Sequence, residues 1–191
     1  MNLYEFEGKN LFAKHGIAIP KGVVVSRGEN VSIKYQELGI KDVVVKAQVL
    51  SGKRGKNNGI KFCSSADEVQ HACAELFANS FNGQYVEAVL IEEKLDIAEE
   101  HYLSITYDTN QKQPVLIYSA EGGMDIEDVS EDKIIKISLD IRSGDINSDL
   151  PFADNLWQCF AQEDTRVVEI NPLVKTKDGR WFAAGAKFAL D

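Results

Sequence analysis

Cysteine is scarce in this chain of 191 residues, and the three present are odd in number and far apart. Cys63, Cys73 and Cys159 are flanked by core-like residues, so they read as free buried thiols rather than a disulfide framework or a thiolate metal site. Histidine is equally sparse. His15, His71 and His101 fall in no metal-binding or catalytic-triad spacing. No apolar run is long enough to cross a bilayer, so no membrane role is expected. The opening Met1-Asn2-Leu3-Tyr4-Glu5 lacks the basic and apolar regions of a secretory signal, which places the chain in the cytoplasm. No internal repeat or low-complexity segment occurs, leaving one packed domain, or two lobes sharing a cleft, as the expected organisation. Positive charge is in deficit. A net charge of −9 gives a field that repels a phosphate backbone and excludes broad nucleic-acid binding.

What is present supports a folded chain, with 44% apolar residues and regularly spaced aromatics. The charge is unevenly spread. Between Val43 and Ala66 stand five cations, Lys46, Lys53, Arg54, Lys56 and Lys61, and no acid, while residues 87–100 and 121–132 hold six acids each. A basic loop paired with an acidic wall suits a compact anion carrying a divalent metal. Solvated surface charge is the competing reading, and for the acidic stretches taken alone it is the better one.

Asn2, with Glu5 three residues on, predicts a helix N-terminus, and Gly16 predicts its end before Pro20. The β-branched Val43-Val44-Val45 marks a strand over residues 41–49, followed by a loop at 51–59 and a short strand at 60–62. Ser65 and Glu68 form a capping box for a helix that buries Val69, Cys73, Leu76 and Phe77. Further strands are expected at 88–92, 102–107, 114–119, 134–139, 166–170 and 181–188, with a loop at 144–151 and a helix at 153–162. One early helix among strands joined by short turns reads as α+β with mixed or antiparallel sheets, not as a doubly wound parallel fold.

The most chemical stretch is Ser51-Gly52-Lys53-Arg54-Gly55-Lys56-Asn57-Asn58-Gly59. Its glycines allow a backbone to approach an anion closely, while Lys and Arg supply charge. It is neither a Walker loop nor a dinucleotide-binding turn, because Gly55-Lys56 is followed by Asn57 and the loop joins two strands. Alone it reads equally as an exposed basic hairpin or a flap over phosphates. Lys46, on the strand before it, tips the balance towards phosphate.

Ordered segments then resemble the β subunit of succinate–CoA ligase over nearly the whole chain. They are Met1-Asn2-Leu3-Tyr4-Glu5-Phe6 with Gly16-Ile17-Ala18-Ile19-Pro20, Val45-Lys46-Ala47-Gln48-Val49 with the loop Gly52-Lys53-Arg54-Gly55-Lys56, and Ile91-Glu92. The others are Asp96-Ile97-Ala98-Glu99-Glu100-His101-Tyr102-Leu103, Glu121-Gly122-Gly123-Met124-Asp125-Ile126-Glu127 and Glu169-Ile170-Asn171-Pro172-Leu173-Val174. The resemblance implies an ATP-grasp fold, two α+β lobes around a nucleotide cleft, with a mobile lobe at residues 21–91 and a second lobe of 1–20 and 92–191. It implies that Lys46, Gly52, Lys53, Arg54 and Gly55 hold the phosphates of ATP, and that the hinge at Glu92 offers backbone groups to adenine. Glu100 falls near the ribose or phosphates, and Asn171 supplies an oxygen to Mg²⁺. Glu169, which alternates onto the same strand face as Asn171, falls where the family meets the phosphohistidine-bearing loop of a partner α subunit.

Departures from the family pattern accompany the match. The family's second metal ligand, an Asp, falls on Gly185, leaving Asn171, water, phosphates or a substitute such as Asp191 to hold the metal. The segment 140–165 is shorter than the family's, the C-terminal CoA-ligase domain is absent from these residues, Lys53 stands for a third glycine, and Leu95 replaces a small or polar residue. Three readings follow. The first is the ATP-grasp component of an ADP-forming acid–CoA ligase, with succinate as the acid and citrate or malate as relatives, inactive in isolation. The second is a non-catalytic ATP-grasp-like module used in assembly or regulation. The third is a basic-loop interaction protein with no nucleotide.

Overall fold

A computed structural model describes residues 1–50, 58–142, 146 and 148–191. In chain order its first elements are α1 (Glu5–Lys14), β1 (Gly22–Ser26), α2 (Val31–Leu38), β2 (Val43–Gln48), β3 (Ile60–Cys63) and α3 (Ala66–Ala78). A small hairpin of β4 (Ser80–Phe81) and β5 (Gln84–Tyr85) leads to β6 (Ala88–Glu93), β7 (Ile97–Asp108), β8 (Gln113–Ser119) and β9 (Ile134–Ser138). The chain closes with α4 (Ala153–Gln162), β10 (Thr165–Thr176), β11 (Trp181–Ala183) and β12 (Lys187–Leu190). Helices combine with sheets whose pairings, among the described strands, are all antiparallel, as the α+β expectation requires. No helix among the described residues is long and apolar enough to cross a membrane.

The chain sorts into two compact units, a small one at Pro20–Leu95 and a large one formed by Met1–Ile19 and Asp96–Asp191. The small unit is built on a sheet of order β1-β6-β2-β3. Val43, Val45 and Ala47 of β2 join Val25, Val89 and Ile91 in a core with Leu38, Val69, Ala72, Cys73 and Leu76 from the two helices. Strand side chains alternate, so Val44, Lys46 and Gln48 fall on the opposite face of the sheet. Phe77, expected among the residues that α3 buries, is only partly covered and packs against that core. At the start of α3 the Ser65 hydroxyl accepts from the Glu68 N–H at 3.3 Å, while the Glu68 carboxylate accepts from Ser64 rather than Ser65.

Helix α2 was not foreseen, and the reason is physical. Asn30 caps it by accepting from the Ile33 N–H, and Gly39 ends it at φ 68°, but Leu38 is its single buried residue, so no apolar period marks it. The β4–β5 hairpin turns through Asn82 and Gly83, both at positive φ, a pair suited to a two-residue loop.

The large unit's sheet runs β11-β10-β7-β8-β9, with β12 also paired to β10. One face carries Leu103, Ile105, Leu116, Val168 and Ile170 into a core with Phe12 of α1 and Leu156, Trp157 and Phe160 of α4. Helix α4 spans the residues expected of it. Helix α1 starts later than Asn2 suggested, because Asn2 bridges Ala189 and the Leu3 N–H donates to Phe188. Tyr4 becomes the cap, its N–H donating to the Glu7 carboxylate at 2.8 Å. The strand expected at 181–188 is two strands. They part at Ala184-Gly185-Ala186, where the Ala184 N–H turns to the Pro172 carbonyl at 3.0 Å. Asn171-Pro172 lies inside β10, with a cis peptide and a register shift between Ile170 and Leu173.

Candidate functional site

Strand β2 is covered on all six residues, yet it carries a lysine. Lys46 sits opposite Leu90 of β6, and Val44 sits opposite Glu92, so Lys46 and Glu92 are diagonal neighbours on one face. Their side chains form an ion pair, with Lys46 9% and Glu92 2% exposed. Taking both charges out of water is expensive, and apolar residues of similar volume would cost nothing comparable. Gln48 continues the face, its amide donating to the Lys46 carbonyl at 3.2 Å. Glu92 lies in β6 between β1 and β2, so its backbone belongs to the sheet and its carboxylate is what it offers. Gly52, Lys53, Arg54 and Gly55 lie outside the described residues.

The large unit holds the other candidates. Glu169 of β10 is opposite Ser104 of β7, and Tyr102 lies two residues away on the same face. The Tyr102 hydroxyl donates to Glu169 Oε2 at 3.1 Å, and Lys187 Nζ of β12 lies 3.7 Å from the same oxygen. Burial, and then the Glu169 charge, push the Tyr102 phenol well above the ordinary tyrosine range.

Asn171 is clamped by the Glu-Gly-Gly turn. Its Oδ1 accepts from the Gly123 N–H at 2.9 Å, and its Nδ2 donates to the Met124 carbonyl at 2.9 Å. These two bonds define which end of the amide is oxygen. The turn itself rests on β7, where the Gly122 N–H donates to the Glu100 carbonyl at 2.9 Å. A β-carbon on Gly122 would come within 2.6 Å of the His101 nitrogen. Gly123 is at φ 75°, and a β-carbon there would collide with the Glu100 carboxylate, so Glu100 and Asn171 converge on one glycine.

Among the described residues no group of three His, Cys, Asp or Glu side chains is arranged to hold a metal. The Asn171 amide oxygen keeps a second lone pair, and with the Glu100 carboxylate nearby it makes an all-oxygen donor set. That suits Mg²⁺, which typically keeps several waters and takes one or two carboxylates with substrate phosphates. Gly185 does not supply a further ligand, and neither does Asp191. A β-carbon on Gly185 would overlap the Asn171 carbonyl oxygen and lie 2.8 Å from its carbon. Asp191 follows Leu190, which pairs with Thr165, six residues and about 20 Å along β10 from Asn171. Asp191 is therefore no substitute for the missing Asp.

Tyr102, Lys187 and the backbone of Gly123 and Met124 were not singled out by sequence. The period of two along β7, from Glu100 to Tyr102 to Ser104, was the available signal for Tyr102. The opposite face of β7 carries His101, bonded to Tyr118 at 2.7 Å and to Glu99 at 3.0 Å. Hydrogen bonds from Lys175 and then His101 hold the Glu99 carboxyl below its usual range.

A family profile described as the ATP-grasp domain matches residues 2–151. The β subunit of ADP-forming succinate–CoA ligase from Methanocaldococcus jannaschii is 41% identical, aligned to 100% of this chain and 57% of its own length. The corresponding subunit of a Nitratiruptor species is 35% identical, with 56% of its length covered. The chain thus spans little more than half the length of these relatives. Among solved structures, ATP citrate lyase from Methanothrix soehngenii, in complex with citrate and coenzyme A, matches with a TM-score of 0.75 at 20% identity, covering 100% of this chain and 51% of that one. The dinucleotide-forming acetyl-coenzyme A synthetase 1 of Ca. Korarchaeum cryptofilum, in complex with coenzyme A, Ca-AMPCP and HgCl+, matches with a TM-score of 0.77 at 17% identity, covering 100% of this chain and 93% of that one. At these identities the structural likeness speaks for the fold.

Proposed function

The chain belongs to the ATP-grasp domain family, and from that premise we propose that it is the nucleotide-binding component of an ADP-forming acid–CoA ligase working in the cytoplasm. Succinate is the acid favoured by its relatives' names, with citrate and malate as alternatives. In this reading Lys46 neutralises phosphate charge, joined by Gly52, Lys53, Arg54 and Gly55. Glu92 holds the Lys46 ammonium in place until phosphate oxygens share it. Asn171, with the Glu100 carboxylate close by, would supply oxygen to Mg²⁺. When bound, that ion supplies charge neutralisation for phosphoryl transfer. Glu169 meets the imidazole of a phosphohistidine loop on a partner α subunit and accepts a hydrogen bond from its ring. The chain's own contribution is positioning and electrostatics, and no covalent nucleophile is assigned to it.

The observation that carries this reading is the buried Lys46–Glu92 pair on the sheet face opposite the core. An ion pair held out of water with no packing need is a mark of a working site. The test is calorimetric titration of the chain with ATP, with and without Mg²⁺, beside Lys46→Met. ATP binding that Mg²⁺ strengthens and Lys46→Met weakens at least tenfold (a cost of about 1.4 kcal/mol) is the expected result. No binding under either condition would overturn the reading.

A second reading, a non-catalytic ATP-grasp module kept for assembly or regulation, is favoured by Gly185, which crowds the Asn171 backbone where the family carries a carboxylate. ATP binding indifferent to Mg²⁺ is its signature.

A further inference from the structure

The Glu169 carboxylate is gripped through one oxygen. The Tyr102 hydroxyl and the Lys187 ammonium both address Oε2, and among the described residues no donor reaches Oε1. The two grips are unequal. Lys187 is 67% exposed and 3.7 Å away, so water screens it, whereas Tyr102 is 4% exposed and within hydrogen-bond distance. A phenol keeps its proton at neutral pH, so the Tyr102 hydroxyl is a donor there.

We propose that Tyr102 is a positioning residue for phosphoryl transfer: its hydroxyl fixes Glu169 through Oε2 and leaves Oε1 to take the ring N–H of a partner protein's imidazole. A glutamate has three soft torsions, and a single fixed donor selects one of its orientations. The imidazole then attacks through its other nitrogen. The N–P bond forms there as the P–O bond to the departing ADP breaks, while the ring N–H stays on Oε1. A second group that fixes the tautomer and aim of a reacting imidazole is a general device. The inference rests on the ligase reading given above.

Two measurements separate the outcomes. The first is the ¹³C-tyrosine spectrum of the chain alone at neutral pH. Glu169→Gln replaces the charged acceptor of the Tyr102 hydroxyl and should shift the Tyr102 Cζ resonance, assigned by its loss in Tyr102→Phe. An unmoved resonance would mean the pair does not exist in solution and would overturn the inference. The second is transfer of ³²P from labelled ATP to histidine, with the chain mixed with a succinate–CoA ligase α subunit. Tyr102→Phe, which keeps the ring and its packing, should lower kcat about tenfold with KM for ATP unchanged. Adding Tyr102→Phe to Glu169→Gln should then cost nothing further, as expected when one residue acts through the other. A Tyr102→Phe protein as fast as the natural one would sink this inference alone and leave the ligase reading standing. A natural chain that transfers no phosphate while its Tyr102 resonance still responds to Glu169→Gln would end the ligase reading, and the positioning role with it, leaving a structural hydrogen bond.

Discussion

Gly185 leaves no space for a side chain, because a β-carbon there would overlap the carbonyl oxygen of Asn171. Restoring the family's Asp is therefore not a simple repair. Gly185→Asp should lower stability by about 2 kcal/mol through overpacking and should fail to tighten Mg²⁺–ATP. Urea denaturation and calorimetry on the same protein check both halves, and a variant both stable and tighter-binding would show that β10 yields at Asn171. The same scale shows which site residues were legible. Lys46 stood out because a cation in a β-branched run is conspicuous. Tyr102 did not, because nothing local marks a tyrosine whose partner lies 67 residues away.

At the scale of elements, α1 and α4 are clasped through one carboxylate. Glu163, at the C-cap of α4, takes Lys14 at 2.6 Å and His15 at 2.7 Å, both from the end of α1. Those hydrogen bonds, Lys14 first and His15 second, hold the Glu163 carboxyl below its ordinary 4.5. A depressed folded pKa stabilises above the unfolded value, and that stability is lost as pH falls through the folded one. Acid denaturation should therefore be shallower just below pH 4.5 in Glu163→Gln than in the natural chain. The clasp is partly solvated, so the difference should stay under about 1 kcal/mol. Denaturation midpoints at a series of acid pH values measure it. Elements with a full apolar stripe, such as α3 and α4, could be drawn from sequence, whereas α2, with one buried residue, could not.

At the scale of the whole molecule, each unit has a core with no member in common with the other. Leu76 is fully buried in the small unit's core and Leu156 in the large unit's. Each Leu→Ala change should cost about 3 kcal/mol within its own unit. Scanning calorimetry should then resolve two transitions, with Leu76→Ala lowering one and Leu156→Ala the other. A single transition moved equally by both would mean that the units unfold as one.

By itself the sequence determined the α+β class, most strands, the start of α3 and the span of α4, because these depend on local period, capping and β-branching over a few residues. It also determined the family, through ordered motifs that no single spacing could imitate. Only the tertiary structure decided that Lys46 meets Glu92, that the Glu-Gly-Gly turn clamps Asn171 beside Glu100, and that Tyr102 grips Glu169. It alone closed Gly185 to a side chain and put Asp191 at the far end of β10. Each of these depends on strand register and on backbone approach across long sequence separation, and no local pattern of residues encodes the distance between two strands.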